Sequence, residues 1–137
     1  MNRIKDKTEE IEKYIDELFE IIPVDFEQYK SEFKTKAACE RYFEKIIESV
    51  VDLSFLIIKE NKLKIPEEDK QSFEILQDEE IISRELSERL QDAKGMRNIL
   101  SHQYGKVDDK IVFESLKEQL IRNIEEFIQQ IKKFLKG

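Results

Sequence analysis

Apolar residues recur along this chain at steps of three, four and seven, the repeat of a helix with one buried stripe. Ile4, Ile11, Ile15, Leu18 and Ile22 follow it, and Pro23 ends the run. Val24 to Ser31 reads as a connection that lays Phe26, Tyr29 and Phe33 over the core. A longer helix is predicted from Glu32 to Lys59, apolar nearly all round between Phe43 and Ile58, as a central helix is. Pro66 followed by Glu67, Glu68 and Asp69 has the composition of a helical first turn, so a short third helix is expected to open there and end near Leu76. Gln77 to Glu80 is then an acidic link. Ser83 is the expected N-cap of a fourth helix carrying Leu86, Leu90, Ala93, Met96 and Leu100 to a stop at Gly105. Asp108 or Asp109 caps a fifth, whose seam of Phe113, Leu116, Leu120, Ile124, Phe127, Ile131 and Phe134 runs to the end of the chain.

The pattern predicts an all-α fold: one domain over residues 1–137, an antiparallel helical bundle with four main helices and a short one. The central helix has more apolar surface than one chain covers, which predicts a homodimer. Composition agrees: 40% charged residues with only three Gly and two Pro do not suit turn-rich sandwiches or Rossmann units.

A formal charge of −7 excludes general, charge-driven binding to nucleic acid or anionic membranes. It leaves room for a local cationic site, because screening confines each charge to about 8 Å. The single cysteine, Cys39, has no intrachain disulfide partner and reads as a small buried residue, which fits a cytoplasmic location. Asn2 to Lys7 reads as the start of a charged helix rather than a secretory leader, and the patch from Val50 to Ile58 is too short for a bilayer. With one histidine and one cysteine, neither a metal nor another cofactor is expected.

One stretch departs from the rest. From Lys94 to Lys106 there is no Asp or Glu in a chain with 31 of them, and the only histidine lies inside it. On an ideal helix Leu90, Ala93, Arg97 and Tyr104 fall within about 40° of Leu86, so Arg97 interrupts an apolar stripe. A guanidinium there is costly unless it is paired, hydrogen-bonded or facing an anion. His102 lies about 140° from Arg97, beside Asn98, its neighbour one turn back. The two do not both point into one intrachain pocket, which leaves an unwound last turn or a site shared with a second chain. Gly95 favours the second, since a helical glycine costs about 1 kcal/mol and close approach of another backbone is the usual compensation.

The run Arg97-Asn98-Ile99-Leu100-Ser101-His102-Gln103-Tyr104, with Val107-Asp108 after it, resembles the motif of HepT-type toxins of the HEPN (higher eukaryotes and prokaryotes nucleotide-binding) superfamily. The order of helices matches over nearly the whole chain. The resemblance implies a metal-independent endoribonuclease, usually dimeric, the toxin of a toxin–antitoxin pair, with a minimal nucleotidyltransferase of the MntA type as antitoxin. It also implies transfer of AMP to the motif tyrosine, here Tyr104.

The residues suit that chemistry in their own right. Attack of a ribose 2′-OH on the adjacent phosphate needs a proton acceptor, a proton donor and a cation for the developing charge. His102 and Arg97 are the catalytic candidates; Asn98 is a supporting donor and Ser101 a helper. The helix C-terminus favours a cation at His102, hence an acid or phosphate-stabilising role. AMP on Tyr104 would set an anion ~10 Å along the helix from Arg97. The rival from another class is a non-catalytic helical module whose cleft holds a nucleotide through Arg97 or docks the nucleotidyltransferase; a third reading is a helical adaptor in which Arg97 and His102 are purely structural.

Overall fold

A computed structural model describes residues 2–102 and 108–137. Its helices are α1 (Arg3–Ile21), α2 (Phe26–Ser31), α3 (Phe33–Glu60), α4 (Asp69–Asp78), α5 (Arg84–His102), α6 (Asp109–Glu114) and α7 (Ile121–Lys136). A π-helical stretch, Ser115–Leu120, joins α6 to α7 in one continuous rod. No strand occurs among the described residues, and no helix among them is long and apolar enough to cross a membrane.

Helix α3 is the centre, touching α1, α2, α4, α5 and the π-helical stretch. Its buried residues include Phe43, Ile46, Ile47, Val50, Val51, Leu53, Ile57 and Ile58. Ser49 and Ser54 are buried beside them, and Ser54 returns its hydroxyl to the Val50 carbonyl at 3.0 Å, so burial leaves it satisfied. Ile4, Ile11, Ile15 and Leu18 pack on this helix from α1, and Leu116, Leu120, Ile124, Phe127 and Ile131 supply the seam of the C-terminal rod.

Local chemistry accounts for most boundaries. Asn2, Asp25 and Asp108 cap α1, α2 and α6 through their side chains. The Ser83 hydroxyl accepts from Leu86 N at 3.2 Å, the predicted cap of α5. Residues 24–31 are not a plain connection: six of them form α2, which buries Tyr29 with its ring 5.1 Å from that of Phe113. Phe33 does not join the core and is 74% exposed. Helix α4 opens at Asp69, three residues later than the proline suggested, because Pro66 is a buried packing residue before the helix. The helix also runs on through Gln77 and Asp78. Glu80, at φ 59°, then turns the chain so that Ile81 and Ile82 donate to the Leu76 carbonyl and enter the core.

At the corner after α1, the Lys117 ammonium donates to the carbonyls of Pro23, at 3.2 Å, and Val24, while lying 5.7 Å from the Phe113 ring. Cys39 is fully buried, and desolvation, with a smaller effect of Glu40, pushes its thiol up to about 11.

Candidate functional site

Helix α5 runs antiparallel to α3, and the polar pairs between them show it: Arg97 meets Glu48, and one turn further along Ser101 meets Glu44. The Arg97 guanidinium is bonded to Glu48 Oε1, and its side chain is only 19% exposed. Arg97 Nε is buried without a hydrogen-bond partner among the described residues. The Ser101 hydroxyl donates to Glu44 Oε2 at 2.8 Å, and Arg41 reaches the same carboxylate at 4.0 Å. The arginine that interrupts the apolar stripe is therefore offset by an ion pair, as a half-buried guanidinium requires.

The acid-free stretch is acid-free only along the chain. In space, α3 supplies Glu44 and Glu48, and the first residue of α4 supplies Asp69, whose Oδ2 is 3.1 Å from Lys94 Nζ. The same ammonium donates to Asn98 Oδ1 at 2.9 Å. His102 is exposed at the end of α5, and Tyr104 and Gly105 lie outside the described residues. On the helical wheel Ser101, Lys94 and Asn98 fill the ~140° arc between Arg97 and His102. One polar face thus carries all the described site candidates, with Arg97 turned to α3 and His102 to solvent.

Four partners were not anticipated: Glu44, Glu48, Asp69 and Lys94. The acids of α3 had a signal, because Glu40, Glu44, Glu48 and Asp52 recur every four residues along it. Each meets a group from another turn or element: Tyr29 and Lys36 for Glu40, Ser101 for Glu44, Arg97 for Glu48 and Lys7 for Asp52. Lys94 had none, since burial of a lysine is decided by what folds over it. Nothing within the chain crowds Gly95: a Cβ there would meet only Lys70 Nζ at 3.6 Å, an ordinary contact.

A cavity of about 1090 Å³ lies between α1, α3 and residues 65–69 and shares only Asp69 with this network. Neither Arg97 nor His102 lines any of the main cavities among the described residues. Among the described residues, the site candidates lie along one face of α5.

Residues 11–131 match the family described as Ribonuclease HepT-like. The chain belongs to the HepT-like ribonuclease family. The resemblance seen in the motif is borne out, and with it the class of enzyme. A putative RNase of Archaeoglobus fulgidus is 33% identical over 91 residues, covering 62% of this chain and 68% of that protein. The mRNA nuclease HepT of Shewanella oneidensis is 29% identical over 108 residues, 79% of this chain and 80% of that one. Among solved structures, the tri-AMPylated HEPN toxin of Shewanella oneidensis in complex with MNT antitoxin superposes with a TM-score of 0.89 at 27% identity, covering 97% of this chain and 99% of that chain. The all-helical HEPN-like fold of this ribonuclease is thereby established.

Proposed function

We propose that this HepT-like ribonuclease is the toxin of a toxin–antitoxin pair that cuts RNA without a metal in the cytoplasm, at a composite site built from Arg97 and His102 of both chains of a homodimer. The observation that carries the reading is the polar face of α5 in a ribonuclease of this family: a half-buried arginine at one edge and an exposed histidine at the other, with neither of them lining a main cavity among the described residues. A second α5 set against the first would bring the histidine of one chain towards the arginine of the other. Ile99, 42% exposed beside Asn98, and Gly95, which the chain's own packing does not require, both suit such an approach.

In this reading His102 moves the proton, taking it from the 2′-OH or giving it to the departing 5′-oxygen. Arg97 neutralises the charge that builds on the phosphate. RNA phosphate has to compete with Glu48 for the guanidinium. AMP carried by Tyr104, placed there by a nucleotidyltransferase antitoxin, would bring a second competing anion to the same cation and silence the enzyme.

The test is cleavage of total RNA by purified parent, Arg97→Ala and His102→Ala proteins, with light scattering at micromolar concentration. The expected result is a dimer that cuts, and two variants that do not. A monomer removes the composite site. A parent that cuts no RNA without its antitoxin, or variants that cut as fast as the parent, removes the catalytic role. Gly95→Ala tests the seam: it gains about 1 kcal/mol of helix propensity and weakens dimerisation if another backbone passes there.

A further inference from the structure

Seven polar or charged side chains are buried among the described residues, and only one of them, Lys94, is charged. It is 8% exposed and sits in the middle of the polar arc of α5. Burying an ammonium is costly unless it is paired and hydrogen-bonded, and Lys94 has both kinds of partner, Asp69 at 3.1 Å and Asn98 at 2.9 Å. The pair with Asp69 accounts for tolerance of the charge. The bond to Asn98 has a further chemical consequence.

A lysine ammonium has three donors and no acceptor, so the atom it meets on Asn98 is the amide oxygen. That removes the freedom of the amide to flip. With Oδ1 held by Lys94, Nδ2 is fixed on the other branch of the amide, and its N–H groups are what the side chain can offer to an acceptor. Asn98 adjoins Arg97 in sequence and is one turn from His102, so it lies between the two groups assigned to the scissile phosphate.

We propose that Lys94 is a positioning residue for RNA cleavage: anchored by Asp69 at the start of α4, it locks the Asn98 amide with its N–H donors towards the substrate phosphate. The inference rests on α5 being the site of cleavage, as proposed above. Asp69 is thereby tied to the site from outside the motif-bearing helix, holding the lysine that holds the asparagine.

The experiment is steady-state cleavage of one defined oligoribonucleotide by the parent, Lys94→Met, Asn98→Ala and the double variant, each with a thermal melt. Lys94→Met is expected to lower kcat about tenfold with little change in KM, the effect of ~1.4 kcal/mol lost in the transition state. The double variant should be no slower than Asn98→Ala alone, because both remove the same presented donor. A merely structural lysine would lower the melting temperature and leave kcat of the folded protein unchanged. If Lys94→Met does not fold, Asp69→Asn takes its place, with a smaller loss in the same direction that again vanishes in the Asn98→Ala background. An active parent with an equally active Lys94→Met variant, or losses that multiply in the double variant, overturns the proposal alone. A parent that cuts no RNA overturns the cleavage reading, and the role of Lys94 in cleavage falls with it.

Discussion

Helices α5 and α7 lie against each other in the bundle, and they are built on opposite terms. Helix α7 buries Ile124, Phe127, Ile128 and Ile131 and turns lysines and glutamates to water. Helix α5 buries three leucines, Leu86, Leu90 and Leu100, and puts a serine and a lysine into the interior with them. What it lacks in apolar contact it makes up in polar bonds on both sides. Towards α3 and α4 these are Arg97 to Glu48, Ser101 to Glu44 and Lys94 to Asp69. Towards α7 they are Arg89 to Asn123 and Glu126, each at 3.0 Å, and Ser83 N to Gln130 at 2.8 Å. On the reading proposed above, α5 carries the reacting groups and α7 supplies the larger apolar seam, so the two tasks are divided between neighbours.

If that division holds, the two helices should fail in different assays. His102→Ala, at an exposed position, should cost about 10²–10⁴ in RNA cleavage while the urea midpoint stays where it was. A fall in the midpoint would mean that α5 is structural after all. Phe127→Ala should cost about 3–5 kcal/mol of stability by opening a cavity in a fully buried position. Cleavage per folded molecule should survive it, measured well below the new midpoint; loss of both together would break the separation.

A smaller effect sharpens the comparison at the contact between α5 and α3. Glu48→Gln removes the carboxylate that competes with phosphate for Arg97, and Glu48 is 41% exposed, so the stability change should stay within ~1 kcal/mol. KM for RNA should fall, by up to about fivefold, with kcat little changed. A rise in KM would make Glu48 a contributor to binding rather than a competitor.

Much of this was legible along the chain. Helices α1, α3 and α5 and the C-terminal rod each run for enough turns that the 3.6-residue repeat is unmistakable, and Ser83 and Asp108 cap α5 and the rod as expected. Helix α2 has six residues, fewer than two turns, and leaves no repeat to see. Pro66 was misleading because a proline at a first turn and a proline packed before a helix look the same until burial is known. Within the site, Arg97, Asn98, Ser101 and His102 stand out because they are close in sequence. Glu44, Glu48 and Asp69 come from 25 to 57 residues away along the chain and become part of the site only when α3 and α4 are laid beside α5.

The core also sets a limit in alkali. The Cys39 thiol is raised from 9.0 to about 11 in the folded protein, first by desolvation, so the unfolded chain loses that proton at lower pH. Stability from this group is complete below about pH 9 and is lost as pH rises towards about 11. Thermal melts between those values should move downward, and less so in Cys39→Ala relative to its own value at neutral pH. At neutral pH the fully buried thiol should resist alkylation until the protein is unfolded.

The Lys117 clasp on the corner after α1 spans 93 and 94 positions of sequence, so closing it demands one of the longest loops the chain can form. Such a contact is expected to form late on the way to the native state, once the C-terminal seam has docked. Its weight then falls on the rate of leaving that state rather than on the rate of reaching it. Lys117→Ala should quicken unfolding with folding almost unchanged, a φ-value near zero. On that outcome the clasp makes the protein longer-lived more than it makes it easier to build.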